Sequence, residues 1–302
     1  MHALNLIRWK NLIVIAITQL LIKYALLEPF GALTALNGLG ASLLILATLC
    51  IAAAGNVIND IYDVETDLIN KPDRIVIGKH ISEKTAFNTF IILNCTGVGF
   101  GFFLAQYIGK SPFFSIFIMS SVLLYVYAAY AKGIMLLGNI IISLLVALSV
   151  LIVGVFELAP NLNETNRNIR LVFFNTILYY AIFAFVINLL REIAKTIEDV
   201  AGDRKAKLYT LPVVMGITGS KILLFVCNIA AIALILFYCV SKLYNYQIIL
   251  IYFLIFIIAP LIYTCIKCFS ATHKSDFNHL SSVFKIVMVF GMLSLLLYRL
   301  TM

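Results

Sequence analysis

Long apolar runs separated by short polar joints dominate the chain. Nine of them, at about residues 11–27, 40–58, 86–108, 112–131, 134–156, 171–190, 219–240, 247–266 and 282–300, come close to the roughly 20 mostly apolar residues that a membrane-crossing helix needs. Hydrocarbon offers no water to backbone amides, so runs of this length are read as helices that satisfy their own hydrogen bonds. The pattern predicts an all-α integral membrane protein, one polytopic domain over residues 1–302 with no soluble domain and no low-complexity segment. The first run follows Arg8 and Lys10, as a signal peptide would, but no small-x-small cleavage site precedes Glu28-Pro29, and it is read as a retained helix.

Composition strengthens this reading: 63% hydrophobic and 12% charged side chains cannot cover a soluble globule with polar surface. A net charge of +8 would suggest nucleic acid in a soluble protein, but its placement here has another explanation. With nine spans and the N-terminus inside, 16 of the 22 Lys and Arg fall on the inner side, leaving Lys23, Lys110, Arg167, Arg170, Lys242 and Arg299 for the other side or near it. The positive-inside rule therefore places the N-terminus in the cytoplasm of a plasma-type (inner) membrane, with membrane lipids rather than nucleic acid as surroundings.

Carboxylates are expensive near a bilayer, and their distribution is the informative anomaly. Ten of 14 lie in two inner segments: Asp60, Asp63, Glu65, Asp67, Asp73 and Glu83 in a loop over about 59–85, and Glu192, Glu198, Asp199 and Asp203 in a loop over about 190–218. At 100° per residue, Asn59, Asp63 and Asp67 fall within about 80° of one another if the second helix continues that far. Asn188, Glu192, Lys195, Asp199 and Asp203 share another narrow face. Like charges four residues apart at the negative end of a helix dipole repel, so something positive must compensate. Mg2+ is held by one or two carboxylates plus water and substrate phosphates, so two facing i, i+4 pairs suit two Mg2+ ions around one diphosphate. Ordinary solvated loops would explain the polarity but not the shared spacing at span ends on one side.

Other signals carry less. Cys50, Cys95, Cys227 and Cys239 lie in apolar spans as small hydrophobes, and the single CxxC of Cys265 and Cys268, followed by His273 and His279, is read as a membrane-edge coincidence rather than zinc spacing. Gly97, Gly99 and Gly101 follow no strand, so close helix packing is expected rather than a nucleotide loop. The segment from Glu157 to Arg170 reads as an outer loop.

The string N59-D60-x-x-D63-x-x-x-D67, then N70-K71-P72-D73-R74, and much later D199-x-x-x-D203 with T210-L211-P212, resembles the UbiA superfamily of intramembrane prenyltransferases. The likeness covers essentially the whole chain. It implies a bundle of nine transmembrane helices around a central cavity, with Asp63, Asp67, Asp199 and Asp203 as the catalytic, Mg2+-binding aspartates. Asn59 matches the first motif, and Y127-A-A-Y-A-K132 looks like the family's loop whose Lys reaches the diphosphate. Arg74, Lys195 and Arg204 are further cations expected at the diphosphate. Two positions depart from the pattern: Ile75 stands where a second Pro is frequent, and Lys207 where a Gly is common. The segment around Asp199 is similar to that of the digeranylgeranylglyceryl phosphate synthase branch, which forms the second ether bond of isoprenoid ether lipids.

The resemblance implies transfer of a prenyl group, of geranylgeranyl length, from its diphosphate to a lipid or aromatic acceptor. The leading expectation is a glycerol-phosphate-type lipid hydroxyl, whose added negative charge Arg191, Lys205 and Lys207 could meet. The alternatives are prenylation of a hydroxybenzoate or dihydroxynaphthoate type of quinone precursor and, in a different class, divalent-cation transport. Transport ligands belong near the bilayer midplane on broken helices, whereas these aspartates lie at span ends. Among 22 Phe and 15 Tyr, residues such as Tyr127 and Tyr130 could shield a carbocation, with packing the commoner role of any one.

Overall fold

A computed structural model describes residues 2–301, apart from the side chains of Arg74, Leu300 and Thr301. Among the described residues, nine helices are long and apolar enough to cross a membrane: α1 (Trp9–Phe30), α2 (Gly38–Tyr62), α3 (Glu83–Tyr107), α4 (Ser111–Ala129), α5 (Leu137–Leu158), α6 (Arg167–Glu198), α7 (Leu211–Lys242), α8 (Gln247–Ser270) and α9 (Lys274–Arg299). Their number and order are those that the apolar runs predict.

Several boundaries differ, and the differences fall where polar residues continue a helical face. Expected over 171–190, α6 runs eight residues further, while α7 begins at Leu211 rather than 219 and α9 at Lys274 rather than 282. Much of the segment read as a loop over 190–218 is therefore helix. Charge does not stop α6, because Glu192 accepts hydrogen bonds from Arg191 at 2.7 Å and from Lys195 at 3.0 Å on its own surface. Pro212 in the first turn of α7 costs no helical hydrogen bond, and the chain bends at Gly216, whose φ of 74° is open to glycine alone at little cost. A capping box between His273 and Asp276 starts α9.

In the bundle, α6 packs on α5, α7 and α9, α2 packs on α3 and α4, and α1 crosses beside α2, α5 and α9. A Cβ on Gly97 would lie 2.7 Å from Ile51 Cγ1, and one on Gly101 would lie 2.3 Å from Phe117 Cδ2. Both glycines thus set the close approach of α3, as expected, while Gly99 faces open space. Cys265 and Cys268 are buried free thiols within α8, and Cys268 Sγ donates to the Lys221 carbonyl. His279 meets the Tyr263 hydroxyl at 3.0 Å, and His273 caps α9.

At the end of the bundle remote from the aspartate motifs, the segment from Glu157 to Arg170 is more than a loop. Glu157 and Lys23 form a buried ion pair at 2.8 Å, and Glu157 also accepts from the Leu36 amide at 3.0 Å. Arg170 is buried too and donates to the carbonyls of Leu158 and Leu33. Lys23 sits in a π-helical stretch of α1, Ile22–Leu27, whose wider turn carries it inward.

Candidate active site

Both aspartate motifs are built alike. α2 ends at Tyr62, Asp63 forms a joint (φ −91°, ψ −4°), and a short helix over Val64–Asn70 continues the chain. α6 ends at Glu198, Asp199 forms the second joint (φ −94°, ψ 6°), and a short helix over Val200–Lys205 follows. The first motif is thus two helices meeting at Asp63 rather than one continuous stripe. Helical bonding still bridges each joint: the Asp67 amide donates to the Asp63 carbonyl at 2.8 Å, and the Asp203 amide to the Asp199 carbonyl at 3.2 Å. The i, i+4 spacing therefore survives in both.

The two short helices are clamped together by Asn70. Its Nδ2 donates to the Asp199 carbonyl at 2.9 Å, and its Oδ1 accepts from the Gly202 amide at 3.0 Å. A Cβ on Gly202 would lie 2.3 Å from Asn70 Nδ2, so this approach needs glycine. Lys274 at the start of α9 donates to the Asn70 carbonyl and ties the clamp to the bundle.

Two lysines reach the joint aspartates. Lys132 Nζ donates to Asp63 Oδ1 at 2.6 Å, and Lys71 Nζ to Asp199 Oδ2 at 2.6 Å, the latter from one motif segment to the other. Asn59 Nδ2 also donates to Asp63. The Lys132 turn is held because the Tyr209 amide donates to the Gly133 carbonyl at 2.8 Å and because Gly138 lets Lys132 pack where a Cβ would come within 2.7 Å of its Cα.

Among the described residues, the second aspartate of each motif has no such lysine partner. Burial, followed by the Asp63 charge, pushes the Asp67 carboxyl up to about 6. Burial and the Asp199 charge do the same to Asp203, also to about 6. Burial would depress the Lys71 ammonium, but the Asp199 carboxylate more than offsets it, and Lys71 sits above its ordinary value. Among the described residues, no cation pairs directly with Asp67 or Asp203.

These residues fit Mg2+. Asp199 Oδ1 and Asn59 Oδ1 are buried oxygens without a hydrogen-bond partner among the described residues, an arrangement costly to leave and suited to a hard cation. No three His, Cys, Asp or Glu among the described residues converge into a metal cage. Mg2+ does not need one, since it keeps water and takes substrate phosphate oxygens alongside one or two carboxylates.

Beside the motifs opens a cavity of about 330 Å3. Its polar lining includes Arg8, Asn59, Tyr127, Arg191, Glu192, Lys195 and Lys285, and its remainder is mostly apolar, with Phe117, Leu124, Phe183 and Phe253 among the walls. Asn59 therefore links the first motif to the cavity. Of the residues expected at the diphosphate, Asn59 and Lys132 join the aspartates, Lys195 lines the cavity bonded to Glu192, and Arg204 is exposed on its short helix. The Arg74 side chain lies outside the described residues. Tyr127 lines the cavity, whereas Tyr130 is 69% exposed. Sequence reasoning did not assign roles to Asn70, Lys71, Arg8 or Lys285 at the site. Lys71 and Asn70 lay in the quoted N-K-P-D-R string, but nothing in a string shows which of its side chains crosses to the other motif.

The chain matches the UbiA prenyltransferase family over residues 15–295. It belongs to that family. A digeranylgeranylglyceryl phosphate synthase of Korarchaeum cryptofilum (strain OPF8) is 32% identical over 287 residues, which cover 91% of this chain and 93% of the relative. A solved structure reported for digeranylgeranylglyceryl phosphate synthase in membranes aligns with 100% of this chain and 98% of its own, at a TM-score of 0.65 and 25% identity. A UbiA homolog from Archaeoglobus fulgidus, solved bound to GPP and Mg2+, shares the fold at a TM-score of 0.57 over 98% of this chain and 99% of its own, with 17% identity. This UbiA-family chain is a prenyltransferase. Its departure from the family pattern at Lys207 has a structural counterpart: φ there is 56°, a left-handed conformation that glycine adopts freely and lysine does not.

Proposed function

We propose that this prenyltransferase moves a geranylgeranyl-length group from its diphosphate to the hydroxyl of a glycerol-phosphate-type lipid, forming an ether and releasing pyrophosphate. The observation that carries the reading is the largely apolar cavity that adjoins the first aspartate motif through Asn59, with the second motif clamped to the first by Asn70. The named relative favours the lipid acceptor over an aromatic quinone precursor. The positive-inside distribution supports an N-terminus and both motifs on the cytoplasmic side.

In the reaction the allylic C1–O bond breaks and its electron pair leaves with pyrophosphate. The acceptor oxygen bonds to C1, and the hydroxyl proton is released. Asp63, Asp67, Asp199 and Asp203, with Asn59, would hold Mg2+. When bound, Mg2+ neutralises the charge that grows on the leaving pyrophosphate. Lys132 and Lys71 place fixed positive charge beside the motifs, where that charge develops. Phe117, Leu124 and Tyr127 exclude water from the allylic cation, and the aromatic faces stabilise it electrostatically.

Purified protein should be given geranylgeranyl diphosphate and Mg2+ with either geranylgeranylglyceryl phosphate or 4-hydroxybenzoate, and products separated by chromatography. The lipid acceptor should yield a diether. Prenylated hydroxybenzoate without any diether would overturn the acceptor assignment.

A further inference from the structure

We propose that the polar mouth of the cavity is a second anion site, in which Arg8, Arg191, Lys195 and Lys285 bind the phosphate monoester of the acceptor lipid apart from the aspartate motifs. The inference rests on the function proposed above. It adds the residues that select a phosphorylated acceptor.

Arg8 precedes α1, Arg191 and Lys195 stand one turn apart on α6, and Lys285 lies on α9, so three separate elements converge on one lip of the cavity. Lys195 feels the charges of Arg191 and Arg8, and Lys285 that of Arg191. Four like charges around a low-dielectric cavity are unfavourable unless anions offset them. The chain supplies two: Asp60 pairs with Arg8 at 2.6 Å, and Glu192 is shared between Arg191 and Lys195. Among the described residues, Lys285 pairs with no carboxylate and donates to Asn11 Oδ1 at 3.0 Å, and Arg191 Nε is buried without an acceptor.

Four cations against two carboxylates leave a surplus of two positive charges. A phosphate monoester carries about −1.5 to −2 at pH 7 and matches that surplus. The carboxylate of an aromatic quinone precursor would offset only half of it. Asn11 lines the cavity with these cations, and with its Oδ1 accepting from Lys285 it offers its Nδ2 as a neutral donor to a phosphate oxygen.

The geometry separates this anion from the donor's diphosphate. Among the described residues, none of the four motif aspartates lines the cavity, and the cations that hydrogen-bond to them are Lys71 and Lys132; of the four at the mouth, Arg8 feels the Asp63 charge without bonding to it. The donor's diphosphate therefore has the metal-binding aspartates and two lysines, while the mouth retains its own cations for a second anion. Asn59, which lines the cavity and bonds to Asp63, links the two positions.

Steady-state kinetics on the purified full-length protein test the assignment with two acceptors, geranylgeranylglyceryl phosphate and geranylgeranylglycerol. In Lys285→Met and Arg191→Gln, KM for the phosphorylated acceptor should rise about ten- to a hundredfold, the loss expected for a charge-assisted hydrogen bond. KM for geranylgeranyl diphosphate should stay within about twofold on the same scale. Geranylgeranylglycerol should be a poor substrate for the wild type and lose little more in the variants, and Lys285→Arg should restore most of the discrimination. Glycerol 1-phosphate should inhibit the wild type competitively against the acceptor, a readout that needs no variant to fold. Equal losses with both acceptors, a KM rise for the diphosphate instead, or inhibition competitive with the donor would each overturn the acceptor-phosphate site. Wild-type protein that makes no diether at all would instead overturn the function on which it rests.

Discussion

Asp67 and Asp203, each pushed up to about 6, make the site's pH dependence a matter of individual carboxyls. Their native values lie above the unfolded value of 3.8, so between about pH 4 and 6 the metal-free native state binds more protons than the unfolded chain. The metal-free protein should therefore lose thermal stability as pH rises through that window, as scanning calorimetry in detergent would show. Mg2+ needs the carboxylates ionised, so its affinity should rise over the same interval and level off above about pH 7 in titration calorimetry. A flat affinity from pH 5 to 8 would exclude these two residues from the metal site. Lys207 offers a second test at this scale. Lys207→Gly removes the left-handed strain at φ 56° and should raise stability by about 0.5–1 kcal/mol, visible as a higher unfolding temperature without change in activity.

Two short helices, Val64–Asn70 and Val200–Lys205, matter only as a pair. Their contact passes through Gly202 and Asn70, with 2.3 Å between an added Cβ and Asn70 Nδ2. Gly202→Val should push the motifs apart, lowering kcat about a hundredfold or more, as misplacement by about 1 Å does elsewhere, while the nine spans stay folded by circular dichroism. A second consequence concerns the far end of the cavity, where α6, α8 and α9 meet. Lys195 to Tyr180 on α6 is 15 residues, a rise of about 22 Å, and from Arg8, just before α1, to Ile22 within it the rise is about 21 Å. Three backbone bonds of an extended chain cover about 3.4 Å, so an isoprene unit with four covers about 4.5 Å, four units about 18 Å and five about 23 Å. Hydrogen bonds and ring packing close the far end: the Tyr180 hydroxyl meets Ser294 Oγ at 2.6 Å, Tyr238 meets Tyr298 at 2.6 Å, and the Phe183 ring stands edge-on to Tyr238 at 5.1 Å. Phe253→Ala should deepen this floor and raise kcat/KM for a five-unit diphosphate over the four-unit one by about tenfold in direct competition.

The molecule as a whole carries a buried charge pair far from the motifs. Lys23 and Glu157, with side chains 3% and 1% exposed, join α1 to α5, and Glu157 also accepts from the Leu36 amide. Lys23→Met leaves a buried carboxylate unpaired and should cost about 3–5 kcal/mol in thermal unfolding. Lys23→Met with Glu157→Leu should recover most of that loss, though not the Leu36 hydrogen bond. Recovery by the double variant alone would identify the pair, rather than either charge, as what the bundle requires.

The sequence by itself determined the nine helices, because a bilayer leaves a long apolar run few other ways to satisfy its backbone. It also singled out two i, i+4 carboxylate pairs at span ends on one side, which repel unless a cation joins them. The extent of α6 was not legible: Arg191, Glu192 and Lys195 read as loop until their mutual pairing is seen. Nor was the role of Lys71, whose reach to Asp199 spans 128 positions in the chain and depends on how the short helices dock. Arg8 and Lys285 read as topology signals, and only the convergence of α1, α6 and α9 places them at the cavity mouth. Periodicity and charge are local properties that survive in one dimension. Which charges face each other across a cavity is decided by packing.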